Sequence, residues 1–428
     1  MSLTAYPTYD SYKDSRVEWI GDIPSEWQVE PGRQCVYESR DKNTRMKEST
    51  VLSLSYGRVI VKDKDKLTGL VPESFETYQI VQPGDIIIRG TDLQNDITSL
   101  RTGLAKDVGI ITSAYINLRP KAQIDQVFLH YLLHSYDVKK VFYALGSGLR
   151  QNLSYLDFKY LKLPIPSPTE QRAIAAFLDE KCAGVDEAVR IKEAQIALLR
   201  ERRQILIQQA VTRGLNPAAP MKDSGIDGIG QIPAHWEIKR GKWLFTKVDR
   251  PIGAQDEIVT CFRDGQVTLR RNRRTEGFTN AFKEHGYQGI QRGDLVIHAM
   301  DAFAGAVGVS DSDGKATPVY SVCVPISPRE TEPAYFALLL RQIALSGLLI
   351  SIAKGIRERS TDFRFKDFAN LEFPNPSIDE QHEIIRYIDM VSTNLDDAIT
   401  IKQDQIAALK EYKASLINAA VTGKIKVI

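Results

Sequence analysis

Side chains able to make or break bonds are few and scattered. The six histidines, His130, His134, His235, His285, His298 and His382, fall at unrelated positions. His130 and His134 stand at i and i+4, the spacing of a metal pair on one helix face, but no glutamate of an HExxH motif lies between them. A plain helix face is therefore expected. Cys35, Cys182, Cys261 and Cys323 are far apart and form no CxxC pair, which predicts reduced thiols and neither a zinc site nor a disulfide framework. There is no G-x-S-x-G elbow and no Walker lysine loop. Residues 303–308, FAGAVG, look superficially like a glycine-rich cofactor loop without the strand, helix and downstream acid such a loop needs. Phe373-Pro374-Asn375-Pro376-Ser377 echoes the Asn-Pro-Pro-aromatic motif of amino-methyltransferases, yet its counterpart Leu163-Pro164-Ile165-Pro166-Ser167 has no Asn. A turn ahead of a helix is expected at both places. No catalytic residue, metal site or bound cofactor is expected.

Binding chemistry is better represented. Residues 238–275 hold an excess of Lys and Arg over Asp and Glu, with Arg263 followed by Arg270, Arg271, Arg273 and Arg274. Guanidinium groups suit DNA phosphates and guanine edges, and amides suit adenine edges. A solvated charged loop is the bland reading of that run. Further on, Gly355-Ile356-Arg357 with Arg359 matches Gly148-Leu149-Arg150 with Gln151 and Asn152. Nearer the start, Lys62, Lys64, Lys66, Arg89, Gln94, Asn95 and Arg101 are comparable candidates for contact with double-stranded DNA. Tyr56 and Tyr115 could stack or bind phosphate, although buried structural tyrosines are commoner. With a formal net charge of only +2, any such contact rests on local patches.

The elements that must position these groups come from a duplication. Lys13-Asp14-Ser15 recurs as Lys222-Asp223-Ser224, and Ile20 to Pro24 with Trp27 recurs as Ile229 to Pro233 with Trp236, at a constant offset. Val81-Gln82-Pro83-Gly84-Asp85 returns as Ile290-Gln291-Arg292-Gly293-Asp294. Between these blocks the halves diverge. They converge again at Pro164-Ile165-Pro166-Ser167 with Glu170-Gln171, matched by Pro374-Asn375-Pro376-Ser377 with Glu380-Gln381, and stay matched to the ends of two long helical stretches. Each half thus reads as a variable domain followed by a constant helix.

The first helix has Ser167 or Thr169 as its cap and runs unbroken to about residue 212, roughly 60 Å. At a 3.5-residue period its apolar seam includes Val189, Ile196, Leu199 and Leu206; the second helix repeats this with Ile399, Ile406, Leu409 and Leu416. Lys192 and Lys402 interrupt both seams alike. These matched seams predict an antiparallel intramolecular coiled coil with pseudo-twofold symmetry. Trp27 and Trp236 are expected as core anchors. Strands are expected over 50–61, 85–89, 257–269 and 294–298, and helices over 126–145 and 332–353.

With 428 residues and a hydrophobic fraction of 43%, two domains are expected. The fold class is α+β: domains over 1–168 and 221–378, long helices over 169–214 and 379–428, and a linker over 215–220. No signal-like or membrane-length apolar run occurs, so a cytoplasmic protein without a membrane partner is expected.

The order Gly21-Asp22-Ile23-Pro24 with Trp27, then Pro83-Gly84-Asp85, then Pro164-x-Pro166-Ser167 with Glu170-Gln171, all repeated, resembles the specificity subunit of type I restriction-modification enzymes. The resemblance covers nearly the whole chain. It departs where Arg292 replaces a proline and Gln231 an acid. It implies a non-catalytic subunit with two target-recognition domains, each reading half of an asymmetric interrupted DNA target, and helices that set the spacer. It also implies two methyltransferase subunits carrying S-adenosylmethionine, and restriction/translocase subunits using ATP and Mg. A specificity module for another methyltransferase or nuclease, and a coiled-coil scaffold that does not bind DNA, are the alternatives.

Overall fold

Two tri-residue apolar runs, Ile86-Ile87-Ile88 and Leu295-Val296-Ile297, form the centres of two sheets with the same strand order. The computed structural model describes residues 6–63, 74–96, 98–145, 152–273, 285–349 and 362–427. The chain divides into two compact units, Met1–Glu193 with Lys402–Ile428, and Ala194–Ile401. In unit 1 the antiparallel order is β1 (Val36–Glu38), β6 (Ile116–Pro120), β4 (Ile86–Ile88) and β5 (Thr102–Leu104). In unit 2 it is β7 (Phe245–Lys247), β12 (Tyr320–Pro325), β10 (Leu295–His298) and β11 (Val307–Val309).

Both central strands are apolar without alternation because each face meets its own core. Ile86 and Ile88 join the main core with helix α1 (Gln126–Val138), while Ile87 joins a smaller core with Leu52, Val81 and Ile111. The same parity holds in unit 2, where Leu295 and Ile297 face the main core with α3 (Pro333–Leu345) and Val296 faces Val259 and Val267. Each smaller core seats a hairpin on the sheet.

Those hairpins replace the single strands expected over 50–61 and 257–269. The first comprises β2 (Leu52–Ser55) and β3 (Arg58–Val61), joined by Tyr56-Gly57 with φ of 47° and 77°. The second comprises β8 (Val259–Cys261) and β9 (Val267–Leu269), with Gly265 at φ 91° in the turn. A left-handed turn breaks what hydrophobicity alone reads as continuous. The expected helices are also shorter. Asp125 caps α1 at Val127 and Phe128, and Lys140 at φ 62° separates it from a 3₁₀ turn at Val141–Ala144. Glu332 caps α3, which ends at Leu345; residues 350–353 lie outside the described residues.

The long helices are α2 (Pro168–Arg213) and α4 (Ile378–Val421). The second stops before the expected residue 428 because Gly423, at φ 71°, turns the chain back until Lys426 N donates to Pro7 O at 2.7 Å. Gly214 at φ 70° ends the first helix in the same way. Ser167 and Ser377 cap the helices by accepting from the backbone N–H groups of Glu170 and Glu380, both at 3.3 Å. The glutamine of each Glu-Gln pair is buried and ties two helix starts together. Gln171 accepts from Asp125 N and donates to Pro166 O; Gln381 accepts from Glu332 N and donates to Pro376 O. Segments 162–165 and 372–375, expected as turns, are strands paired with Gln28–Pro31 and Glu237–Arg240. Trp27 and Trp236 are each 1% exposed, as expected of core anchors. Gly423 abuts the Trp27 ring and Gly214 that of Trp236. Among the described residues no helix is long and apolar enough to cross a membrane.

Candidate nucleic-acid interface

The loop after each central strand carries exposed polar groups and is stitched to the segment before the final short helix of its unit. In unit 1, Leu153 N donates to Gly90 O at 2.7 Å, and Asn152 Oδ1 accepts from Asp92 N at 2.9 Å. The stitch ties Asn152 to the loop that carries Gln94 and Asn95 and follows Arg89. Gln94, Asn95 and Asn152 are exposed, Arg89 is half-buried and paired with Asp96 at 3.2 Å, and Asn95 donates to Asp92 at 2.7 Å.

Arg101, expected among the DNA contacts, does something else. It is 0% exposed, and its guanidinium donates to the carbonyls of Arg89, Thr91, Asp92 and Asp96 and to the Tyr143 hydroxyl. A side chain sealed this way cannot reach a base or phosphate. It is the post around which the loop from Arg89 to Asp96 is wound. Its backbone N–H is held by Asp137, whose carboxyl is pushed up by burial.

In unit 2 the equivalent stitch is Phe363 N to Ala299 O at 3.0 Å. There the loop presents His298 against the Tyr320 ring at 4.7 Å and Asp301 paired with Arg263 at 2.8 Å. The arginine run is more neutralised than its sequence suggests. Arg271 pairs with Glu257 and Arg273 with Asp264, both at 2.7 Å, while Arg273 also covers the Phe262 ring at 4.3 Å. Arg270 is half-buried beside Thr260. Arg263 and Arg271 remain about two-thirds exposed, at 67% and 65%, so phosphate can compete for them with the carboxylates.

Lys62 is half-buried at the end of β3, with its N–H donated to Val51. Tyr115 packs on the smaller core and its carbonyl accepts from Gln79, a structural role. Tyr56 is exposed at the hairpin tip. Lys64, Lys66, Arg150, Gln151, Arg274, Arg357 and Arg359 lie outside the described residues. Residues 302–309 form a 3₁₀ turn and a strand, so FAGAVG leads into no helix.

On the long helices Ile196, Ile399, Ile406 and Leu416 are buried, and Val189, Leu199, Leu206 and Leu409 half-buried. Polar seam groups find partners within each unit. In unit 1, Lys192 donates to Gln405 and Lys413 to Asp186, both at 2.7 Å, so these two segments run in opposite directions. In unit 2, Arg203 pairs with Asp396 at 2.6 Å.

His130 and His134 share a helix face with ring centroids 6.2 Å apart, and among the described residues no cluster could hold a metal ion. His130 Nε2 is sealed without a hydrogen-bond partner. Burial, then the neighbouring His134, pushes the His130 pKa down to about 3; burial, then Lys413, takes His134 to about 4. Unfolded, both titrate near 6.5. As pH falls through 6.5 only the unfolded chain gains these protons, so stability falls until the folded values are reached. Each histidine contributes a slope of up to about 1.4 kcal/mol per pH unit. Urea melts from pH 7 to pH 4.5 should show this loss, and a His130→Leu, His134→Leu double variant a shallower one. Equal slopes would sink the assignment. The four cysteines are buried and free, and burial, then Glu30, pushes Cys35 up to about 12.

The two units thus share one topology, and each offers a differently equipped polar loop beside a hairpin. Residues 75–197 match the family model described as the type I restriction modification DNA specificity domain. The putative type I restriction enzyme MjaX specificity subunit of Methanocaldococcus jannaschii is 21% identical over 95% of this chain and 96% of that one. The type I restriction enzyme EcoBI specificity subunit of Escherichia coli is 23% identical over 65% of this chain and 63% of its own length. A solved structure described as showing complex assembly and conformational transition of the type I R-M system aligns at TM-score 0.63 and 17% identity, over 93% of this chain and 98% of its own. The HsdS subunit from Thermoanaerobacter tengcongensis aligns at 0.51 and 15%, over 94% and 98%. Along most of its length the chain is thus similar to type I restriction enzyme specificity subunits.

Proposed function

We propose that this chain is the non-catalytic, target-reading subunit of a type I restriction-modification complex, in which each unit reads one half of an asymmetric interrupted DNA sequence. The observation that carries this is one sheet order bearing two unlike loops, Arg89 to Asp96 in unit 1 and His298 to Gly305 in unit 2. A shared scaffold explains why both units address the same polymer, and the unlike loops explain why the half-sites differ.

In the same reading α2 and α4 form an antiparallel coiled coil with pseudo-twofold symmetry that sets the spacer and docks two methyltransferase subunits. The opposed pairings of Lys192 with Gln405 and Lys413 with Asp186, and that of Arg203 with Asp396, support it. S-adenosylmethionine then resides on the methyltransferases, and ATP with Mg on the restriction/translocase subunits. The test is a domain exchange: replacing residues 12–165 with those of a relative should change one half of the methylated sequence. Methylome sequencing reads the outcome, and change in both halves would refute independent readers.

A further inference from the structure

The hairpin of unit 1 ends in a residue that its backbone disfavours and its surroundings leave bare. Tyr56 is 92% exposed and sits at φ 47°, in the left-handed region where Asn or Gly is the usual occupant. The base beneath it is firmly seated. Gly57 packs on Leu100, Val59 reaches Gly103, and Leu52 and Val59 belong to the smaller core. Leu100 follows the loop that carries Gln94 and Asn95, so the tip continues the candidate interface. From residue 50 to 62 the only ionisable side chains besides Tyr56 are Arg58 and Lys62. Arg58 is 76% exposed and only loosely tethered to Asp186, at 3.7 Å. Ile60 and Val61 add exposed apolar surface at 44% and 50%.

Resting on the DNA-reading function above, we propose that Tyr56 is an aromatic wedge which unit 1 inserts at a base step of its half-site, while Arg58 and Lys62 meet the flanking phosphates. Apolar side chains that enter a groove this way unstack a step, and the bent duplex covers more protein surface. Among the described residues the hairpin turn of unit 2 has no equal: Phe262 is half-buried beneath Arg273, and exposed Arg263 is paired with Asp301. The wedge is therefore a feature of the unit 1 hairpin.

The test uses the full chain with its methyltransferase partner and duplexes bearing the methylated target, with 2-aminopurine scanned through both half-sites. Besides the rise where the methyltransferase extrudes its target base, which Tyr56 does not govern, wild type should raise fluorescence at one further step of the unit 1 half-site. Tyr56→Ala should abolish that further rise and weaken binding about tenfold at an unchanged salt slope. Tyr56→Phe should keep both, and all three should melt alike. Binding and fluorescence unchanged in Tyr56→Ala would overturn the wedge. So would equal losses in Tyr56→Phe, which would assign the hydroxyl to a phosphate. If the wild-type complex showed no salt-dependent duplex binding, the DNA-reading function would fall and the wedge with it.

Discussion

Insertion of four residues into each long helix, near positions 200 and 410, is expected to lengthen the DNA spacer by one or two base pairs and leave both half-sites unchanged. Four helical residues add about 6 Å, and base pairs stack about 3.4 Å apart. Half-sites read by paired domains typically lie one helical turn apart, about 34 to 36 Å, so this increment moves a reader off its site unless the spacer grows too. The original target should cease to be methylated. Both helices must be lengthened, because their seams are matched residue for residue. Methylome sequencing that found altered half-sites with the old spacer would refute the proposal that the paired helices set the spacer.

Arg101→Met is expected to have the second large effect, and to confine it to the half-site read by unit 1. The guanidinium satisfies four carbonyls of the loop from Arg89 to Asp96 and the Tyr143 hydroxyl from a position with no exposure. Removing it strands buried acceptors, at a cost of about 1 to 3 kcal/mol for each left unpaired. Thermal unfolding should show a destabilised unit 1, and the first half of the target should be lost. Gln94→Ala is the contrast. That side chain is exposed on the same loop, so its loss should alter base preference without changing the melt. Equal melts for the two variants would show that Arg101 does not hold the loop.

The paired glycine-aspartate motifs show where matching by sequence stops. Asp85 and Asp294 are both buried and both accept a turn N–H, from Gln82 and Gln291. Their arginines are not equivalent. Asp85 is held by Arg119 from β6, with Nε at 2.7 Å and Nη2 at 2.8 Å, and Arg119 also reaches Asp41. In unit 2 the position matching Asp41 is Arg250, which pairs with Asp294 directly. Both units neutralise the motif aspartate with an arginine but supply it from different places in the chain, which an alignment of the two halves reads as unrelated.

A similar limit applies to the basic residues. Composition marked Arg263, Arg271 and Arg273 as available cations, but Asp301, Glu257 and Asp264 meet them in space. Two of these acids are near in sequence; Asp301 is not, and arrives only because the loop after β10 folds over the hairpin. Arg101 was misread for the same reason. An arginine beside polar residues looks exposed until the chain closes around it.

What the sequence determined by itself was therefore the duplication, the two long helices with their caps and seams, the tryptophan anchors and the α+β class. Each of these is set by local periodicity or by a motif that carries its own turn. Tertiary structure alone decided that single apolar runs break into hairpins at Tyr56-Gly57 and Gly265, that Arg101 is a post and not a reader, and that the arginine run is largely paired. Those outcomes depend on contacts between residues distant in the chain, where burial and neutralisation are settled by the company a side chain keeps.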